Sequence, residues 1–201
     1  MIISRAADTA ADLEVVTEIM TTAFASDPVW GGWAFPVENP VARDEARRRF
    51  WRFNLSSAMR YPWVRLVPGA AALWVPPNGS ELTESEEAAV EPLLRELVGA
   101  HTEAFLECLD LFESNHPHEE PHYYLSLLGT HDDYRGQGVG MQLLSENLRL
   151  IDREGMASYL ESTNAVNVAR YESVGFRRVG SFTLPAGGPT VDTMWREARH
   201  V

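Results

Sequence analysis

The sequence predicts a mixed α/β fold, a central β-sheet flanked by helices, and three observations point there. Segments with helical spacing of apolar residues alternate with short runs of strand character along the chain. A strand, a glycine-rich loop and a helix follow one another between Tyr123 and Arg153, the order expected where a sheet meets a covering helix. No internal repeat, low-complexity tract or linker interrupts the 201 residues, so 1–201 read as one domain.

Ile2-Ile3-Ser4-Arg5 reads as a short first strand, followed by a helix over Thr9–Ala25 in which Leu13, Val16, Ile19, Met20 and Phe24 recur at helical spacing. Asp27-Pro28 ends that helix, and Trp30-Gly31-Gly32-Trp33-Ala34-Phe35-Pro36 reads as an irregular loop whose rings stack on a ligand or, the commoner outcome, join the core. A second helix is expected over Ala42–Met59, then a hairpin of Arg65–Val67 and Ala70–Val75 around Pro68-Gly69. Two acidic amphipathic helices fill Glu84–Cys108 and beyond, with Pro92 or Gly99 as the break. Tyr123–Thr130 is a strand, Val139–Arg153 a helix, Ser158–Ser162 a strand and Val166–Val174 a short helix closed by Gly175. Two strands, Phe176–Phe182 and Val191–Arg196, complete the set.

Composition narrows the partners. Seventeen basic against 29 acidic residues leave a formal charge of −12, which opposes binding to nucleic acid or to an anionic membrane and is compatible with a cationic small substrate. Cys108 is the only cysteine, so no intrachain disulfide and no cysteine-based zinc site is expected and cytoplasm is the default compartment. Met1 to Asp8 carry no basic leader with an apolar run, and the longest apolar stretch, Gly69–Val75, falls far short of the roughly 18 residues of a membrane span.

Gly136, Gly138 and Gly140 stand at every second position of Arg135-Gly136-Gln137-Gly138-Val139-Gly140, where a backbone without side chains turns tightly and comes close to a ligand. The helix that begins there aims its unpaired N–H groups and the positive end of its dipole at the loop, an arrangement that suits pyrophosphate, and Arg135 and Gln137 add donors. The dinucleotide fingerprint fails because the third glycine comes one residue early, and the ATP-type phosphate loop fails because no lysine follows. A tight turn with no ligand remains the plain alternative.

Two segments resemble the GNAT acetyltransferase superfamily: Arg135–Gly140 is similar to its R/Q-x-x-G-x-G/A motif between strand and helix, and Tyr159-Leu160-Glu161-Ser162 followed by Asn167–Phe176 to its L-E-T and N-x-x-x-Y-E-x-x-G-F segment. Within it, Ala23–Pro28, Leu73–Pro77, Pro121–Leu125 and Leu184–Pro189 resemble segments of puromycin N-acetyltransferase-like enzymes in the same order. Asp132 departs from the proline usual after that strand. The resemblance implies the GNAT fold, with a strand pair splayed around the pantetheine of acetyl-CoA, Leu128, Gly129 and Thr130 pairing to it, and pyrophosphate on the loop formed by Arg135, Gly136, Gln137, Gly138, Val139 and Gly140. It places Tyr171 beside the CoA sulfur and Asn167 on the cofactor, where the alternatives are an apolar helix residue and a helix cap, the latter filled better by Asn164. Gly129 suits a strand bulge or close approach, and its backbone with that of Thr130 is the expected oxyanion donor.

Glu161 lies beside the cleft, either to attract a cationic amine and accept its proton or as a plain sheet-surface carboxylate. His116, His118 and His122 in a proline-rich loop lack the ligand shell of a metal site, so no metal is expected and His122 reads as a base or acceptor contact. The function expected is acetyl transfer from acetyl-CoA to a small-molecule amine by a monomer or homodimer. A non-catalytic acyl-CoA sensor and transfer to a protein N-terminus or lysine are the alternatives.

Overall fold

The computed structural model describes residues 3–199. Met1 and Ile2 lie outside them, so the expected first strand is described only in part: β1 is Arg5–Ala6. Helix α1 (Ala10–Ala23) starts at Thr9, whose hydroxyl accepts the Asp12 N–H at 3.1 Å while the Asp12 carboxylate accepts the Thr9 N–H at 3.3 Å, a reciprocal cap. The loop expected at Trp30 is instead a π-helical turn, Pro28–Trp33. Asp27 makes it possible by accepting the N–H groups of Val29 (2.9 Å) and Trp30 (3.0 Å), so the wide turn begins with its donors satisfied.

Helix α2 (Pro40–Ala58) lies against α1, and its Arg48 and Arg52 reach Glu18 and Glu14 across the exposed seam. A hairpin of β2 (Val64–Val67) and β3 (Ala70–Val75) turns at Gly69, which has φ of +78° and where a Cβ would stand 2.2 Å from the Tyr134 ring. Helix α3 (Glu84–Val98) runs through Pro92 and stops at Gly99, and α4 (Thr102–Asn115) follows. The remainder is β4 (His122–Thr130), α5 (Val139–Arg153), β5 (Ala157–Ser162), α6 (Val168–Ser173), β6 (Arg177–Thr183) and β7 (Thr190–Arg196).

The strands form one sheet in the order β1-β2-β3-β4-β5-β7-β6, antiparallel except for the parallel pair β4–β5. Two apolar clusters cover its faces. On one, α1 to α4 bury Val16, Met20, Leu55, Leu73, Phe105 and Leu127. On the other, α5 buries Leu143, Leu144 and Ile151 against Trp74, Leu125 and Leu160. The aromatics Trp30 and Phe35 belong to the first core, where Trp30 stacks on Phe50 at 6.0 Å and Phe35 meets Phe105 edge-on at 5.6 Å. No helix of the described residues is long and apolar enough to cross a membrane.

Candidate active site

The parallel ladder between β4 and β5 runs from His122–Ala157 to Leu125–Leu160 and goes no further. On its other side β4 stays paired to β3 as far as Thr130. From Ser126 onward the β5-facing edge of β4 is therefore open, and the strands form a fork. Ser126 itself is the residue left over where the β3–β4 register shifts between Leu73 and Trp74. This bulge bends the strand at the root of the fork. Gly129, read as a bulge candidate, is instead in regular register with Ala71; its lack of a side chain makes room for α1, since a Cβ would stand 2.7 Å from Met20 Sδ.

The glycine loop closes the open end of the fork. Gly136 and Gly138 have φ of +75° and +74°, values L side chains rarely adopt, and a Cβ on Gly140 would stand 2.4 Å from Thr130 Oγ1. Gly138 caps α5 without offering a side-chain acceptor, so the first N–H groups of that helix point into the cleft with the positive end of its dipole behind them. The fit to a diphosphate is therefore good: an open helix N-terminus, approached over glycines. Arg135 plays a different part from the donor expected of it. Its Nη2 donates to the carbonyls of Ala23 (2.9 Å) and Thr22 (3.3 Å), and its Nε pairs with Asp132 at 3.0 Å, tying the loop to the end of α1. Gln137 likewise turns back to the Asp133 carbonyl at 3.1 Å. Asp132 in place of proline leaves the local turn intact.

Fork and loop bound a cavity of about 530 Å³. Leu128, Thr130, Arg135, Gly136, Gly138, Val139, Gly140, Asn167 and Tyr171 line it together, whereas Gly129, Gln137 and Glu161 do not. Asn164 caps the turn at Val166 (3.1 Å), which frees Asn167 to take Arg170 Nη1 at 2.9 Å on the cavity wall. The half-buried Tyr171 hydroxyl has no hydrogen-bond partner among the described residues, and burial, then the Asp27 charge, push its pKa up to about 12. It is a neutral donor across the physiological range. Asp27, Arg170, Phe24 and Ser26 are lining residues the sequence reading missed. Asp27 was legible only as a helix stop, yet it also takes Thr163 Oγ1 at 2.8 Å and so joins the π-turn to the end of β5.

Glu161 faces the other way. It is the first residue of β5 beyond the last β4 pair, and its side chain is 2% exposed. Its carboxylate is buried, with the Tyr124 and Tyr159 hydroxyls as the donors that face it. His116 Nδ1 stands 3.8 Å from Oε1, and the phenols of Tyr124 and Tyr159 are raised by burial and then by the Glu161 charge. Glu81 accepts from Ser126 Oγ at the same root of the fork. His116, His118 and His122 gather here, but the described residues contain no group of three or more His, Cys, Asp or Glu side chains placed to hold a metal.

Residues 97–178 match the family model of the acetyltransferase (GNAT) domain. An uncharacterized protein of Mycobacterium leprae (strain TN) is 40% identical over 82 residues, covering 38% of this chain and 22% of that relative, so the chain spans about a fifth of its length. Among solved structures, histone acetyltransferase HPA2 and related acetyltransferase from Corynebacterium glutamicum superimposes with a TM-score of 0.67 at 22% identity over 99% of both chains. An agmatine N-acetyltransferase superimposes with a TM-score of 0.60 at 14% identity, over 96% of this chain and 98% of its own. The seven-stranded sheet, mostly antiparallel and flanked by helices, is the GNAT fold.

Proposed function

We propose that this chain transfers the acetyl group of acetyl-CoA to the amine of a small molecule. The observation that carries the reading is one cavity bounded by an unpaired strand edge, an uncapped helix N-terminus and a neutral tyrosine hydroxyl. The edge of Leu128–Thr130 offers backbone donors and acceptors to an amide-bearing arm, and the N–H groups at Val139 and Gly140 offer donors to a diphosphate. Gln137 holds the loop in shape from behind, and Arg135, on the cavity wall, ties it to the end of α1. Acetyl-CoA, when bound, supplies a thioester as acyl donor.

Holding the two reactants in one cleft removes much of the cost of their encounter. Tyr171 donates a hydrogen bond to the departing sulfur. With its pKa near 12 against about 8.5 for a thiol, outright proton transfer from it is uphill, so stabilisation of the thiolate is its larger part. Backbone N–H groups near the Ser126 bulge are better placed than Gly129 to meet a developing oxyanion, because the fork opens there. The acceptor would have to reach the fork from its other face for Glu161, buried there outside the cavity, to accept the proton of the amine. The segment likeness to puromycin N-acetyltransferase-like enzymes favours an antibiotic-like or amino-sugar-like acceptor.

The test is thiol release from acetyl-CoA with puromycin, aminoglycosides, polyamines and short peptides, run beside Tyr171→Phe. Release that depends on one small-amine class, and falls about 10²-fold or more in the variant, supports the reading. Release with peptides alone moves the acceptor to a protein. Tight acetyl-CoA binding with no release makes the chain a sensor, and no binding at all removes the proposal.

A further inference from the structure

Asp27, Arg135 and Arg170 are the charged residues that line the cavity, and their surroundings differ sharply. Arg135 is held by Asp132 and by the carbonyls at the end of α1. Arg170 donates to Asn167 and is exposed, so solvent and salt screen its charge. Asp27 is 9% exposed. One of its oxygens accepts the N–H groups of Val29 and Trp30, and the other takes the Thr163 hydroxyl at 2.8 Å. Burial raises its pKa, and those three donors oppose the rise. With both oxygens occupied, Asp27 is poorly suited to grip a ligand or to move a proton. What it presents to the cavity is a poorly screened negative charge.

That charge reaches Tyr171, where it is the largest cause of the raised phenol pKa after burial. It is also anchored to Thr163, the residue that follows β5. In the acetyl-transfer reading above, Tyr171 stands beside the CoA sulfur, so Asp27 belongs to the acyl end of the cavity and the start of α5 to the phosphate end. The cavity is thus polarised along its length, with N–H donors at one end and a buried carboxylate at the other. Resting on that reading, we propose that Asp27 selects the acyl group by charge: the site takes acyl-CoA thioesters with an uncharged acyl chain and excludes those whose chain ends in a carboxylate. A carboxylate on the acyl chain meets Asp27 where the dielectric is low and like charges repel most strongly. The exposed Arg170 gives it little compensation. An acetyl group carries no charge and escapes the repulsion.

Calorimetric titration with malonyl-CoA and acetoacetyl-CoA at pH 7 tests the selection without turnover. The two acyl chains differ only at their ends, an O⁻ in one and a methyl group in the other, so size is matched and charge is not. Wild type should bind acetoacetyl-CoA about tenfold or more tightly than malonyl-CoA. Asp27→Asn keeps an oxygen for the Val29 and Trp30 N–H groups and turns an NH2 toward the Thr163 hydroxyl, so the turn keeps its cap while the charge goes. The ratio of the two affinities in that variant should fall toward unity. Glu172→Gln removes the same charge from an exposed residue of α6 that does not line the cavity, and should keep the wild-type ratio. Equal affinities in wild type, or a ratio that Asp27→Asn leaves unchanged, overturns the proposal while the acetyl-transfer reading stands. An equal fall in Glu172→Gln assigns the discrimination to the overall charge of the chain and overturns it as well. If acetyl-CoA itself does not bind, the acetyl-transfer reading fails and takes this proposal with it.

Discussion

Gly140 shows how narrowly single atoms set this cleft. A methyl group there would lie 2.4 Å from Thr130 Oγ1, so Gly140→Ala must displace either the strand end or the start of α5. Overpacking of this kind costs about 1–3 kcal/mol, and we expect it as a lower Tm together with roughly tenfold weaker acetyl-CoA binding. Thr130→Ala in the same chain removes the obstructing oxygen and should restore both, which calorimetry on the single and double variants will measure. Tyr171 carries a prediction in pH. Its raised pKa, near 12, keeps the hydroxyl protonated well past the range in which an ordinary tyrosine ionises, so kcat should show no alkaline fall from this group below about pH 10. A limb near pH 9 that Tyr171→Phe abolishes would contradict that. The glycines were readable in the sequence because glycine takes the positive φ of Gly136 and Gly138 without steric cost, and Asn164 because asparagine caps. The Glu161–His116 meeting was not readable as such, since nothing local to either residue reports the other. Of the two readings of Gly129, bulge or close approach, the structure has the second, and the neighbour is Met20 on a helix more than a hundred residues away.

Among the elements, the π-turn Pro28–Trp33 reaches the cavity only through its capping residue, Asp27, which lines it. Asp27 holds it by accepting two backbone N–H groups and binds Thr163 at the end of β5. Asp27→Ala leaves those donors without their acceptor, and a loss of about 1–3 kcal/mol of stability is expected from denaturant titration, with weaker acetyl-CoA binding alongside. An unchanged midpoint would mean that the turn is held by its aromatic packing alone. Sequence periodicity located α5 and the β2–β3 hairpin closely, since α5 carries a clean apolar stripe and the hairpin a Pro-Gly turn. It failed on Pro28–Trp33 because two glycines and two tryptophans follow neither helical nor strand spacing; the element exists through a cap and a core.

Across the whole molecule, the two faces of the sheet are locked by different means. Aromatic packing fills the α1–α4 side. On the α5 side an ion pair is buried: both Arg196 Nη atoms donate to Asp152, at 2.8 and 2.7 Å, with the two side chains 3% and 5% exposed. Burial raises the Asp152 pKa, but the Arg196 and Arg199 contacts outweigh it and the net shift is downward. A carboxylate lowered in the folded state stabilises the fold fully above its unfolded pKa of about 3.9, and that contribution is lost as pH falls through the folded value. Acid unfolding should therefore set in below about pH 4 with a component that Asp152→Asn removes. At neutral pH that variant leaves Arg196 buried without its counter-charge and should cost about 3–5 kcal/mol. A Tm within a degree of wild type would refute the account. None of this was visible in the sequence, where Asp152 and Arg196 are a surface-type residue of a helix and the last residue of a strand.

Only four residue pairs, His122–Leu125 with Ala157–Leu160, join the β1–β4 half of the sheet to the β5–β7–β6 half. The fork proposed to receive the cofactor is thus also the narrow junction between those two halves. If an arm of acetyl-CoA lies in it, that arm should act as a keystone between the two half-sheets. Amide exchange at Leu127–Thr130 should then slow sharply when acetyl-CoA is added, while the β2–β3 hairpin, already zipped on both sides, exchanges as before.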